Sequence, residues 1–238
     1  MATTSTREHH LVQTFVALAG SLVRDFDVVD VLQRLVDECV SLFDASAAGI
    51  LLHSRSNGLE VAVSTTERSG LVARRQLAAD AGPSVEAAMS GDVVSVDDVR
   101  QVADRWPGFV AEALSAGFLS THSLPMRLRE ATLGSLTLFR DRPGALNEPD
   151  AIAARALADI ATVSILQQRL VEEAELAQAQ LQRALDSRVV LEQAKGYLAR
   201  RDGIDLDTAF ARIRGHARAT QTRIGVVAAE VVAGRLSL

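Results

Sequence analysis

Lys195 and Tyr197 are the only lysine and the only tyrosine of this 238-residue chain, and they stand two residues apart. Every other basic side chain is an arginine or a histidine. An ammonium is a compact, mobile charge, whereas a guanidinium is a rigid planar fork. Because Gly196 permits close approach of the backbone, the pattern favours a role for a point charge at Lys195. An ordinary surface lysine in an arginine-rich chain is the alternative.

Charge is divided unevenly along the chain. Residues 1–182 carry a net charge of −9 and residues 183–238 a net charge of +4, which gives −5 for the whole chain. An acidic body with a basic C-terminal segment predicts that only the C-terminal segment meets a polyanion such as nucleic acid. A small helical module that happens to be mildly basic is the alternative.

Composition places the chain among ordinary globular proteins, with 48% hydrophobic and 23% charged residues. No apolar run reaches the roughly 18 residues that a membrane span needs, so we expect no membrane partner. Residues 1–10 are polar and lack the apolar core of a signal peptide, which predicts a cytoplasmic protein with a disordered N-terminal tail. Cys39 is the single cysteine, so an intrachain disulfide is excluded. Its place on an apolar helix face favours a buried structural thiol.

The N-terminal part of the sequence predicts an α+β domain around an antiparallel sheet. Apolar residues recur at helical spacing over residues 11–43, and short apolar or alternating runs then indicate strands. Asn57-Gly58 predicts a hairpin turn, and Ser84 is a candidate N-cap for a helix that ends near residue 90. The predicted strands are residues 47–54, 59–65, 92–96, 122–128 and 134–140.

A long helix is predicted from Ala151 to about Leu198, because this stretch has no proline and one glycine. Apolar residues continue along it with alternating spacings of four and three, the pattern of a heptad seam that we extend to Leu191. We favour a dimerising coiled coil, and therefore a homodimer, over a solvated linker helix. The predicted dimerisation residues are Val163, Leu166, Leu170, Ala174, Ala177 and Leu181.

The last fifty residues predict three helices. The long helix ends near Arg201, a second helix covers Leu206–Ala219, and a third covers about Ile224–Gly234. The predicted organisation is a tail at 1–10, a sensor domain at 11–147, a linker and dimerisation helix at 148–183, and a C-terminal three-helix domain at 184–238.

Two resemblances to known families follow from these segments. The run Glu192-Gln193-Ala194-Lys195-Gly196, followed by Ala209-Phe210, resembles the ANTAR domain, a three-helix RNA-binding module of bacterial transcription antiterminators. The preceding part of the chain resembles a GAF domain, on Gly82-Pro83, Trp106-Pro107 and Leu124-Pro125-Met126 among other short motifs. Together the chain is similar to GAF–ANTAR regulators, which are common in actinobacteria.

The ANTAR resemblance implies an RNA surface built on these helices. Lysine pairs with phosphate, and arginine planes or aromatic rings stack on the splayed bases of RNA loops. Tyr197 is a candidate base platform, although we favour packing for it. The residues that the resemblance assigns to RNA binding are Ala194, Lys195, Gly196, Ala209, Arg188, Tyr197, Arg214, Arg218 and Arg223.

The GAF resemblance implies a small-molecule pocket beside the sheet, or a domain that only dimerises. Candidate pocket residues are His53, Ser84, His122 and Met126, each of which also has a structural interpretation as a bonded, capping or core residue. Some relatives carry a cysteine where Ser84 stands, so a thiol sensor or chromophore attachment is not expected. A metal site of His53, His122 and Asp97 or Asp98 fits no ligand pattern. We therefore expect neither a cofactor nor a metal.

The leading interpretation is a non-enzymatic, signal-responsive antiterminator that binds paired RNA stem-loops. A DNA-binding regulator that uses the last two helices as a helix-turn-helix is the first alternative. Its third helix, Ile224–Leu236, has Arg235 as its single base, which is poor for reading the major groove. A GAF enzyme such as a sulfoxide reductase is the second alternative, but it needs reactive cysteines. The signal, the RNA target and the direction of control do not follow from the sequence.

Overall fold

A computed structural model describes residues 2–20, 27–54, 58–129 and 131–238. The chain forms two compact units, Met1–Arg169 and Leu170–Leu238. A helix of 55 residues, α6 (Glu148–Asp202), supplies residues to both units. None of the helices in the described ranges combines the length and the apolar character needed to cross a membrane.

Two helices open the N-terminal unit, α1 (Ala2–Gly20) and α2 (Val28–Leu42). The prediction of a disordered tail at residues 1–10 is wrong for residues 2–10, which are helical. Leu18 and Thr14 are buried on α1, so a packed segment nucleates the helix, and extending it towards the N-terminus then adds one hydrogen bond for each residue ordered. Asp27 caps α2 by accepting a hydrogen bond from the Val29 amide at 2.8 Å.

A five-stranded antiparallel sheet forms the centre of the N-terminal unit, with the spatial order β2-β1-β5-β4-β3. Its strands agree with the predicted ones, although Asn57 of the predicted hairpin turn lies outside the described residues. The strands are β1 (Ala47–Ser54), β2 (Gly58–Ser64), β3 (Val94–Val96), β4 (Ser120–Leu128) and β5 (Ala131–Arg140).

Three helices join the strands: α3 (Glu67–Ala79), α4 (Pro83–Ser90) and α5 (Pro107–Ser115). Helix α3 has no counterpart among the predicted elements, because its low apolar content hides the periodicity, yet Thr66 and Ser69 form a capping box at its start. The prediction that Ser84 caps α4 is wrong. The N-cap is Gly82, and Pro83 occupies the first turn, where its missing N–H costs nothing.

The two faces of the sheet pack against different helices. On one face, Leu136 and Leu138 of β5 share a core with residues of α2 and with the first part of α6. On the other, Phe139 joins a core with Trp106 and Phe109, where α5 begins. Alternate residues of β4 and β5 therefore point into different cores, as the two-residue period of a strand requires.

The C-terminal unit consists of the rest of α6 with α7 (Leu206–Ala219) and α8 (Ile224–Val232), in agreement with the three predicted helices. Its core consists mainly of small and branched side chains from all three helices. The fully buried members include Ala194 and Leu198 of α6, Ala209 and Ile213 of α7, and Ala228 and Val231 of α8.

Asp205 is the N-cap of α7, and its carboxylate accepts hydrogen bonds from the amide and the hydroxyl of Thr208 at 2.8 and 2.7 Å. These bonds stabilise the charged form, so they hold the pKa of Asp205 below its ordinary value. A lowered folded-state pKa means that the cap contributes stability above the ordinary carboxyl pKa and loses it as the pH falls through the folded value.

We therefore expect Asp205→Ala to lower the melting temperature of the C-terminal unit at pH 7, and this deficit to shrink as the pH falls below about 4. Thermal melts followed by circular dichroism across pH would measure it. Asp205→Asn, which keeps an acceptor oxygen, should melt close to the wild type at pH 7. Equal melting of Asp205→Ala and the wild type at pH 7 would show that the cap does not stabilise α7.

Candidate nucleic-acid interface

Lys195 lies on the flank of α6 that faces α7. Its Nζ atom is 2.9 Å from both carboxylate oxygens of Glu192, one turn earlier, and 6.0 Å from the centre of the Phe210 ring. Only 18% of the Lys195 side chain is exposed, against 57% of Glu192. The lysine is thus a positioned charge with one accessible side, and its carboxylate partner is open to solvent.

Tyr197 lies on the opposite flank of α6 from Lys195, because two residues turn a helix by about 200°. Its side chain is exposed, and the Arg201 guanidinium carbon lies 5.8 Å from the ring centre. The preference for packing is therefore wrong, since the core of this unit is filled by Ala194 and Leu198 on the face between the two flanks. A ligand that touches Lys195 and Phe210 does not reach Tyr197 on the same surface.

Ala194 and Ala209 are fully buried, so they support the helix packing rather than contact a ligand directly. Gly196 differs, because it is exposed and a Cβ added there would meet no atom within 4 Å. A glycine inside a helix costs about 1 kcal/mol relative to alanine. Packing within the described part of this chain therefore does not explain Gly196.

The four predicted arginines, Arg188, Arg214, Arg218 and Arg223, are all exposed. Within the described part of the chain none of these four forms an ion pair. Other basic residues of the unit are neutralised: Arg201 and Arg212 pair with Asp202, and Arg235 pairs with Glu230. The predicted arginines are thus the ones left to bind an external anion.

A ridge of α7 connects these charges to Lys195. Phe210, Arg214 and Arg218 follow one another at intervals of four residues, so they are neighbours along one side of the helix. Lys195 lies over Phe210 at the start of this ridge. The sequence analysis missed the parts of Phe210 and Glu192 here, although the four-residue spacing of Phe210 from Arg214 was a visible signal.

The predicted pocket residues of the N-terminal unit do not line one cavity. Ser84 meets the sheet face that α4 covers: its hydroxyl accepts a hydrogen bond from Thr137 at 2.9 Å, and its carbonyl accepts one from Ser135 at 2.7 Å. Met126, on β4, is fully buried in the core of the other face. His53 lies near the end of β1. The pocket prediction is therefore corrected: Ser84 is held by its own bonds, and Met126 fills the core.

His122 is also buried on β4, and its Nδ1 lies 3.2 Å from the Ser95 hydroxyl. Burial lowers the pKa of His122, and the nearby Asp97 carboxylate opposes this shift. The described residues contain no group of three or more His, Cys, Asp and Glu side chains that could hold a metal ion.

The predicted dimerisation residues differ in burial. Leu166 is partly buried against the N-terminal core, and Val163 is partly exposed. The other four, Leu170, Ala174, Ala177 and Leu181, are exposed on α6 in the C-terminal unit. Leu191, to which the predicted seam extends, instead packs against the C-terminal core.

Comparison with protein families assigns both units. Residues 27–165, more than half of the chain, match the family profile of the GAF domain. The chain belongs to the GAF domain family. Residues 179–232 match the profile of the ANTAR domain, so the basic surface described above lies in an ANTAR domain. No curated protein matches the chain significantly.

Solved structures resemble the N-terminal fold at low sequence identity. The GAF domain of Acinetobacter phosphoenolpyruvate-protein phosphotransferase is 13% identical, with a TM-score of 0.52, over 67% of this chain and 95% of that one. Free methionine-R-sulfoxide reductase from Neisseria meningitidis, in complex with its substrate, is 19% identical (TM-score 0.53; 71% and 93%). The phycoerythrobilin-bound GAF domain of a cyanobacterial phytochrome is 16% identical (TM-score 0.51; 70% and 97%). These likenesses support the fold alone.

Proposed function

We propose that this protein is a cytoplasmic, signal-responsive transcription antiterminator whose ANTAR domain binds RNA stem-loops. The observation that carries the proposal is the ridge of exposed arginines, Arg214 and Arg218, that continues from Lys195 and Phe210. The GAF domain is the sensor, and binding of the RNA disfavours a terminator hairpin so that the polymerase continues.

The chemistry of the ridge suits the loop of an RNA hairpin. Loop bases are unstacked and splayed, so that guanidinium planes can stack on them, while an ammonium pairs with phosphate as a point charge. Arg214 and Arg218 provide two planes one turn apart, and Lys195 provides the point charge beside them. Duplex nucleic acid has its bases stacked and offers these arginines only its backbone.

Glu192 sets the condition for this binding. Its carboxylate occupies donors of Lys195 in the free protein, but because Glu192 is largely exposed, the pair contributes little to folding. A phosphate oxygen can replace the carboxylate at small cost. The Glu192 pair thus keeps Lys195 oriented over Phe210 until the RNA binds.

The helix-turn-helix alternative gains no support from α8. This helix has no basic residue of its own, and Arg235, just beyond its end, is tied to Glu230 by two hydrogen bonds of 2.8 and 2.7 Å. A recognition helix needs donors that reach base edges in the major groove. The four exposed arginines of the predicted RNA surface instead lie on α6, on α7 and at Arg223, which precedes α8.

Cysteine chemistry of the kind the sulfoxide reductase alternative requires is equally unsupported. Cys39 is fully buried on α2, and burial raises the pKa of its thiol far above the ordinary value. The reactive form is the thiolate, which a raised pKa suppresses. We therefore propose a regulatory rather than an enzymatic role for the GAF domain.

A homodimer would strengthen RNA binding without any new contact. Two ANTAR domains in one dimer bind two stem-loops of the same transcript, and the second binding event is then intramolecular, with a high effective concentration. A weak single site is therefore sufficient. The exposed apolar residues of α6, Leu170 and Leu181 among them, support such a dimer.

The full chain should bind a pair of RNA stem-loops more tightly than duplex DNA of the same length at matched salt. Replacing Arg214 and Arg218 together with glutamine should weaken RNA binding. It should also reduce the slope of log affinity against log salt by about 0.7 for each phosphate that is no longer neutralised. Fluorescence anisotropy over a salt series measures both quantities. Arg235→Gln is the matched control, because Arg235 is already neutralised by Glu230. Equal affinity for RNA and DNA would favour the helix-turn-helix alternative.

Lys195→Ala should weaken RNA binding roughly tenfold or more, since a hydrogen bond to a charged group contributes about 1.5–3 kcal/mol. Its melting temperature should barely change, because the pair with the exposed Glu192 adds little stability. Lys195→Arg should also bind less well, because the rigid guanidinium fork is larger than the ammonium that fits between Glu192 and Phe210. If Lys195→Ala binds RNA like the wild type but melts at a much lower temperature, Lys195 is a structural residue.

A further inference from the structure

The stretch of α6 that begins at Leu170 carries large apolar side chains that nothing in the described part of this chain covers. Leu170, Leu181, Leu185 and Val189 are 66%, 63%, 49% and 57% exposed. Apolar surface of this extent is unfavourable in water, and a contiguous exposed patch marks an interaction site.

The spacing of these residues does not continue the predicted heptad. A heptad seam would pass through Leu191, but Leu191 packs against the C-terminal core. The exposed residues instead follow steps of four, four and three, which is an eleven-residue repeat. We call the surface on this repeat the open stripe, and its positions are Leu170, Ala174, Gln178, Leu181, Leu185, Val189, Glu192 and Gly196.

The open stripe lies away from the core of the C-terminal unit. Gly196 and the buried Leu198 are two residues apart, so they point about 160° from each other around the helix axis. Helices α7 and α8 therefore leave the stripe open. An eleven-residue repeat keeps it on one side of a nearly straight helix, whereas a strict heptad requires a left-handed supercoil.

We propose that the open stripe is the surface on which a second copy of the chain pairs in parallel, and that the pairing extends into the ANTAR domain as far as Gly196. The proposal rests on the proposed function only for its dimer. It gives Gly196 a role that packing within one chain does not: the absence of a side chain lets the two helices approach closely.

Charge and length support a second copy as the partner. Arg188 flanks the open stripe and Glu192 lies on it one turn later, so in a parallel pair each arginine is within reach of the glutamate of the other copy. The stretch from Leu170 to Gly196 is about 40 Å long. With a helix about 10 Å wide, this gives an area of the same order as the roughly 800 Å² per partner of a stable interface.

Single cysteines in the full chain test the register. Leu185→Cys and Val189→Cys should form disulfide-linked dimers under mild oxidation, since a parallel pair places identical residues within disulfide reach. Ala184→Cys and Gln193→Cys, which flank the stripe, should cross-link at least tenfold more slowly. The wild type is the background control, because Cys39 is fully buried. Faster linkage at Ala184 than at Leu185 would restore the heptad, and no linkage at Leu185 or Val189 would exclude parallel pairing; either result overturns the proposal.

Gly196→Leu tests the extension into the ANTAR domain. It should raise the dimer dissociation constant at least tenfold in analytical ultracentrifugation, whereas Gly215→Leu, at another open helix glycine on α7, should leave it unchanged. An intact dimer that no longer binds RNA would assign Gly196 to the RNA surface and overturn this inference while the proposed function stands. Cross-linked dimers of Val189→Cys that fail to bind RNA would contradict the proposed function and leave the pairing intact.

Discussion

The contact between α6 and α7 at Ala194 and Ala209 determines what the long helix can present to a partner. Both alanines are fully buried, and small side chains at a helix contact allow a short distance between the axes. With this face of α6 committed to the core, Lys195 is directed towards α7 and Tyr197 towards the opposite flank. The assignment of the basic ridge to RNA, and of the open stripe to a second copy, both depend on this one packing contact.

The GAF domain differs from the pocket that its resemblance implied. Helix α4 is bonded directly to the sheet through Ser84, Ser135 and Thr137, and the Ser84 amide donates to Gln76 at 2.8 Å. A ligand between α4 and the sheet would have to replace these buried hydrogen bonds with equivalent ones, because an unpaired buried polar group is costly. Sensing by this domain therefore requires either a polar ligand or a site elsewhere.

The sequence predicted regular elements better than it predicted side-chain roles. Hydrophobic periodicity placed the strands and α7 correctly, whereas α3 was missed because its weak apolar pattern hides the helix that Thr66 caps. Ser84 and Tyr197 were misjudged because a cap or a packed ring depends on which tertiary face meets the residue, and local spacing does not contain that information. Leu191 shows the same limit: its spacing fits a seam, but α7 and α8 bury it in another core.

The presence of a single lysine allows a direct test of the RNA surface. Amine acetylation followed by mass spectrometry labels Lys195 and the chain's amino terminus, which serves as an internal reference. We predict that saturating RNA stem-loops slow the acetylation of Lys195 relative to the amino terminus, and that duplex DNA of equal length does so much less. Unchanged acetylation of Lys195 in the RNA complex would contradict the central claim that this lysine and its arginine ridge form the RNA-binding surface.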